Sequence, residues 1–248
     1  MRLVSYNIHK GIGGRDRLYR LERVVRVIEH EQPDLVCLQE VDRNVRRSQK
    51  ERQPHLLARH FGFESAFQLN HRLRRGGYGN LVLSRWPISE RHDISLRLGS
   101  RKNRAAQVVA VRTPAGTLRL CNLHLGLSEA ERHWQMGQLL ASPAFRKLDG
   151  LPTLVAGDFN DWRNSLSDGP LPAYGLGLAT TPPSRFRTFP AWWPLAALDK
   201  VFAGGGVRVQ RAHVVRDKLA RAASDHLPLV IEFEIVQQRS GAGAGSGQ

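Results

Sequence analysis

The chain has 248 residues, 41% of them hydrophobic, with a formal net charge of +15 from 37 Lys and Arg against 22 Asp and Glu. That length suits one large domain or two small ones, and the apolar fraction suffices for a sizeable core. It excludes a membrane span, since no stretch approaches roughly 20 apolar residues. It shows no signal-peptide pattern ahead of the first strand-like run. The two cysteines, Cys37 and Cys121, both lie inside apolar runs and read as buried free thiols of a reducing compartment. A cytoplasmic location is the expectation.

In chain order, residues 2–8 read as a strand that ends in Asn7 and His9. Leu18, Leu21, Val24, Val25 and Ile28 recur at helical spacing, which predicts an amphipathic helix over 17–31, stopped by Pro33. A buried strand over 35–39 then delivers Glu40. Residues 42–53 are polar and basic, a surface loop, and 54–61 predict a short helix with Leu56, Leu57 and Phe61 inward. Arg72, Arg74, Arg75, Gly76 and Gly77 make a basic, flexible loop before the strand Asn80–Ser84, which Pro87 stops. Residues 106–112 and 117–123 pair around the turn Pro114-Ala115-Gly116, and the second run ends in Asn122 and His124. Ser128 with Glu131 three residues later is a capping box for a helix over 128–140.

The run over 153–156 leads into Gly157-Asp158-Phe159-Asn160. On an extended chain, residues two apart face the same way, so Asp158 and Asn160 look into one site. An acid there can hold a metal or take a proton from water. An amide beside it can hold a phosphate oxygen or a nucleophile without adding charge. Residues 161–197 are rich in Pro, Gly and aromatics and read as long loops. Trp162, Phe186, Phe189, Trp192 and Trp193 are expected to pack rather than line a cleft. Residues 207–215 and 227–236 complete the strands, with Ser224-Asp225-His226 just before the last. The tail 239–248 is Gly, Ala and Ser and is expected to be disordered. Polar groups at several strand ends are how a sheet scaffold builds a site.

The ordered motifs Tyr6-Asn7-Ile8, Leu38-Gln39-Glu40-Val41, Asn122-Leu123-His124-Leu125, Gly157-Asp158-Phe159-Asn160 and Ser224-Asp225-His226-Leu227-Pro228 resemble the endonuclease/exonuclease/phosphatase superfamily, DNase I-like proteins, over about residues 2–234. The segments Asn7-Ile8-His9-Lys10-Gly11 and Arg187-Thr188-Phe189-Pro190-Ala191 resemble a bacterial branch of metal-dependent hydrolases. The resemblance implies an α/β fold: a four-layer α/β/β/α sandwich of two mixed sheets in one domain, residues 1–238. It implies that Asn7, Glu40 and Asp225 hold a divalent metal. Ligands that offer only oxygen suit Mg²⁺ or Mn²⁺ rather than zinc. It makes Asp158 the base or orienter of water and Asn160 the group that aligns nucleophile or phosphate. His226 becomes a phosphate ligand or proton carrier, oriented by Asp199 from the segment Ala197–Phe202, and His124 a general-acid candidate. Tyr78, Asn80 and Asn122 become substrate-side candidates. Arg104 could reach a phosphate, although solvation is its simpler account. His9 has no counterpart in the family and reads as a core histidine.

Residues 43–104 hold fifteen Lys or Arg against four Asp or Glu, so a net +11 of the excess lies in a quarter of the chain. Such a face concentrates polyanions or an anionic membrane, or is a solvated surface. Three functions follow: a metal-dependent phosphodiesterase on nucleic acid, the same chemistry on a lipid or small phosphoester, and a non-catalytic phosphate-binding module. The first is preferred narrowly over the second. The third is least favoured, because every mapped catalytic position holds the expected residue type. A monomer is expected.

Overall fold

The computed structural model describes residues 1–236, so the 239–248 tail lies outside the described residues. Runs such as Leu3–Tyr6, Leu35–Leu38 and Leu118–Leu123 are buried throughout, and they form central strands. The strands are β1 (Arg2–Asn7), β2 (Leu35–Arg43), β3 (Glu64–Arg72), β4 (Gly77–Ser84), β5 (Ile88–Ser95) and β6 (Ala105–Thr113). They continue with β7 (Gly116–His124), β8 (Thr153–Asp158), β9 (Gly177–Leu178), β10 (Asp199–Gly204), β11 (Val207–Val214) and β12 (Leu229–Ile235). The helices are α1 (Leu21–Glu31), α2 (Gln53–Phe61), α3 (Glu129–Ala141), α4 (Pro143–Arg146), α5 (Pro170–Ala173) and α6 (Lys218–Ala223).

The strands make two six-stranded sheets, ordered β11-β12-β1-β2-β4-β3 and β5-β6-β7-β8-β10-β9. Val36 and Leu83 of the first share one buried cluster with Val109, Leu120 and Leu154 of the second, so the sheets pack face to face. On the outer side of the second sheet, Val108, Cys121 and Val155 pack under Met136 and Leu139 of α3 and Phe145 of α4. Val24, Val27 and Ile28 of α1 join the first cluster. The α/β/β/α sandwich expected from the motifs is the observed architecture. Cys37 and Cys121 are both buried and free. No helix of the described residues is long and apolar enough to cross a membrane.

Each sheet has one parallel pair among the described residues, β1 with β2 and β7 with β8. Parallel neighbours end on the same side. Asn7 is therefore delivered beside Gln39, and His124 beside Asp158. Antiparallel β10 adds Asp199 opposite Asp158. Gly157 allows this approach, because a Cβ there would lie 2.0 Å from the Leu123 carbonyl oxygen.

Several boundaries differ from the sequence expectation. Strands β3 and β5 lie at sheet edges with mixed or alternating exposure, so neither carries the continuous apolar run that marks a central strand. Helix α1 begins at Leu21 because Tyr19 bridges back to Ile12 and leaves Leu18 exposed. Strand β2 does not stop at Glu40. It bulges between Leu38 and Val41 and runs on to Arg43, into the expected loop. Ser128 caps α3 by accepting from the Glu131 N–H at 3.3 Å. The Glu131 carboxylate is buried instead against Gln135 and Arg101, at 3.2 and 3.1 Å.

Asn122 and Asn80, expected on the substrate side, are fully buried between the sheets. Asn122 Nδ2 donates to the carbonyls of Leu38 (2.9 Å) and Leu81 (3.1 Å), and its Oδ1 accepts from Gln39 Nε2 at 2.8 Å. Asn80 Nδ2 donates to the Ala105 carbonyl at 3.2 Å. Both tie one sheet to the other beneath the site, with no polar atom of Asn122 left for a substrate. Asn122→Ala would leave the Gln39 amide with only its bond to the Cys37 carbonyl and take a donor from two backbone carbonyls. It should cost about 3 kcal/mol of stability, read by denaturant unfolding.

Candidate active site

At the converging strand ends, Asp158 is buried, accepts two hydrogen bonds and lies beside two histidines. Asn7 Nδ2 donates to its Oδ2 at 3.0 Å, and the Asn160 N–H donates to its Oδ1 at 2.9 Å. His124 Nε2 and His226 Nε2 lie 3.4 and 3.7 Å from Oδ2. The other nitrogen of His226, Nδ1, is 2.8 Å from Asp199 Oδ2. Asn160 takes the left-handed conformation, φ 50°, and donates from Nδ2 to the Leu125 carbonyl at 3.0 Å. Five residues of the expected set, Asp158, Asn160, His124, Asp199 and His226, thus meet in one buried cluster.

Their electrostatics differ sharply. Burial pushes the Asp158 carboxyl up, and the Asp199 carboxylate adds to it, although the neighbouring imidazole opposes both. Burial would lower His226, but Asp199 and then Asp158 outweigh it and lift the imidazole to about 10. His124 goes the other way. Burial, then the Arg104 guanidinium, hold it well below the ordinary histidine range, so its resting form is neutral. The cluster is therefore an imidazolium held between two carboxylates, beside a neutral imidazole.

Ligand-type atoms of Asp158, Asp199 and His226 all lie within 4.8 Å of one another. An imidazolium is a donor, not a metal ligand, so this trio suits proton handling. The Asn7, Glu40 and Asp225 set is better fitted to a cation. Glu40 sits in the β2 bulge at φ 59°, and its carboxylate is ion-paired with Lys10. Burial pushes the Glu40 carboxyl up, but the Lys10 ammonium outweighs it and holds it well below the usual carboxylate range. Lys10 already places a positive charge on Glu40. Asn7 Oδ1 accepts from the His9 N–H at 3.1 Å. Asp225 is partly exposed, and its Oδ2 lies 3.8 Å from His9 Nε2. The side chains of Asn7, Glu40 and Asp225 offer only oxygen donors, which suits a hard divalent cation.

Three side chains depart from expectation. His9 is not in the core: it is half-buried at the rim, with a left-handed backbone, facing Asp225. Arg104 is not solvated. It is only 6% exposed, and its side chain makes no ion pair or hydrogen bond among the described residues. Tyr78 is nearly buried, with cations of Arg47, Lys102 and Lys10 within 5.1, 5.6 and 5.7 Å of its ring centre. Sequence reasoning missed Lys10, which follows the Asn7 motif directly, and Phe189, whose ring lies 4.9 Å from that of His226.

A buried carboxylate flanked by two histidines, at the carboxyl ends of paired parallel strands in a four-layer sandwich, matches the motif set that resembles the endonuclease/exonuclease/phosphatase superfamily. Sequence comparison agrees: the profile of the Endonuclease/Exonuclease/phosphatase family matches residues 4–226, and the chain belongs to that family. It is 32% identical over 247 residues to the uncharacterized protein YbhP of Escherichia coli (strain K12), covering 94% of this chain and 96% of YbhP. The fold is similar to that of an endonuclease/exonuclease/phosphatase from Beutenbergia cavernae, with TM-score 0.74 and 23% identity over 95% of this chain and 71% of that one. It is also similar to the mannosyl-6-phosphatase Bt3783 of Bacteroides thetaiotaomicron, with TM-score 0.74 and 16% identity over 94% and 99% of the two chains.

Proposed function

We propose that this chain is a divalent-metal-dependent phosphodiesterase that cleaves P–O bonds by attack of water. The observation that carries the reading is the burial of Asp158 between Asn7, His124 and His226. Asp158, with its raised proton affinity, accepts a proton from the attacking water, and Asn160 aligns that water. The His226 imidazolium, held at Nδ1 by Asp199, donates from Nε2 to a phosphate oxygen and favours the extra negative charge of the transition state. His124 donates a hydrogen bond near the leaving oxygen, where the resemblance places a general-acid candidate. Arg104, buried and unpaired, meets a phosphate oxygen. Asn7, Glu40 and Asp225 would hold Mg²⁺ or Mn²⁺, which when bound neutralises phosphate oxygens and supports the leaving oxygen.

The basic stretch also supports an anionic substrate. Arg43, Arg52, Arg72 and Arg74 line a cavity of about 340 Å³ at the β3–β4 turn, with no carboxylate among the lining residues. A phosphodiester occurs in both a nucleic-acid backbone and a lipid headgroup. Turnover should therefore be measured with Mn²⁺ or Mg²⁺ on DNA, RNA, anionic phospholipids, sphingomyelin and a small chromogenic diester. Metal-dependent hydrolysis of at least one diester is the expected result. Inertness toward all of them, in a folded protein, would leave only phosphate binding.

A further inference from the structure

Of the aromatic side chains expected to pack, Phe186 is buried and Phe189 half-buried, but the three tryptophans are exposed. Trp193 is 69%, Leu195 58% and Trp162 52% exposed, and Trp192 is exposed as well. They are not scattered. The Trp162 ring stands edge-on to Phe189 at 5.8 Å, and Phe189 lies against His226. The Ala191 N–H donates to the Asp225 carbonyl at 2.7 Å, which fixes the 189–195 loop to the rim of the catalytic cleft. Buried Asp161 accepts from Ser165 and Leu166 and holds the Trp162 loop to the scaffold.

The same rim is cationic. Arg221 donates to the carbonyls of Ala191 and Trp192 at 3.0 and 3.3 Å, and Arg216 donates to those of Arg185 and Arg187 at 2.9 and 3.4 Å. None of these four arginines forms an ion pair among the described residues. Burial, and then the charges of Arg221 and Arg187, lower the proton affinity of Arg216. Beside Trp192 a cavity of about 330 Å³ is lined by Arg15, Lys218 and Arg221. Its one carboxylate, Asp16, is already paired with Arg23 at 2.6 Å.

We propose that this rim is a docking surface for an anionic phospholipid bilayer: Trp162, Trp193 and Leu195 enter the interface, and the surrounding Arg and Lys face lipid phosphates. Charge complementarity argues for that occupant. Tryptophan prefers the headgroup level, with its ring in the apolar boundary and its N–H in the polar layer. Basic side chains beside it gain from the negative surface potential of anionic lipids. A protruding leucine gains nothing against a nucleic-acid backbone but does gain in a bilayer. The docking does not depend on the hydrolase reading, because vesicle binding is measured without turnover.

The test is co-sedimentation of the full chain with vesicles of phosphatidylcholine alone and of phosphatidylcholine mixed with phosphatidylglycerol. The parent should bind the anionic vesicles at least about tenfold more tightly, with a blue shift of tryptophan emission. Trp193→Ser/Leu195→Ser should weaken that binding at least about tenfold while keeping the parent's melting temperature, since both side chains are exposed. Arg187→Glu/Lys218→Glu should weaken binding to the anionic vesicles alone. Failure of the parent to bind anionic vesicles at low salt would overturn the proposal, and so would unchanged binding by the serine variant. Self-association abolished by the serine variant, without vesicle binding, would assign the rim to a second copy. Loss of single-stranded DNA binding with vesicle binding intact would assign it to nucleic acid.

Discussion

Asp158→Asn should lower turnover by at least about two decades, and His226→Ala by a similar factor, the usual scale for groups that move or hold a proton in the transition state. The two residues address one event from opposite sides. In the proposed mechanism Asp158 accepts from water, while His226, 3.7 Å away, stabilises the phosphate that the water attacks. Their combined loss should therefore be less than the product of the single losses. Asp199→Asn should cost less than His226→Ala. It removes a carboxylate from Nδ1 but leaves the imidazole in place, and it shows itself in the pH profile rather than only in the rate. Asp158 must be ionised to act, and its carboxyl is raised, so activity should fall on the acid side at a pH above the ordinary carboxylate range. His226 must be protonated, and its imidazole is raised, so the alkaline fall should come well above the ordinary histidine range. Asp199→Asn takes away the larger of the two charges that raise His226, and it should move the alkaline limb down. Near-parent turnover in folded Asp158→Asn or His226→Ala would remove these roles.

Exhaustive chelation should abolish hydrolysis, and added Mg²⁺ or Mn²⁺ should restore it. The reason is charge. A phosphodiester repels an incoming nucleophile, and the donor set of Asn7, Glu40 and Asp225 offers oxygens suited to a hard divalent ion. Glu40 is the member with the most at stake, because its carboxylate is half-buried, ionised and matched at present by Lys10. Glu40→Gln keeps the shape of the side chain and removes the charge. It should weaken metal binding by at least about tenfold in calorimetric titration. The protein should stay folded, because Glu40 occupies a bulge at the cleft rather than the apolar core. Full activity after chelation, or equal metal affinity in the glutamine variant, would dismiss the assignment.

Much of the site was legible along the chain because buried central strands announce themselves as apolar runs, and functional groups stand where those runs stop. Asn7, Asp158 and His124 each lie at the end of such a run, and the structure brings them together because parallel partners end side by side. The same logic hid the edges of the sheets. Strands β3 and β5 face solvent on at least one side, so their residues carry no continuous apolar signal.

What the chain order could not express is who stands beside whom. Arg104 looked like any solvated arginine, yet it is buried beside His124 at the end of β7. Asn122 looked like a substrate ligand, yet its amide spends all its hydrogen bonds joining strands that lie 41 and 84 residues away. The tryptophans of 162–193 had the composition of a core, and they are outside because Phe189 fills the space over His226 and the loop beyond it turns into solvent. Strand, helix and the residue types of the site follow from local periodicity. Burial, pairing and proton affinity depend on neighbours remote in sequence, and only the packing of the two sheets creates those neighbours.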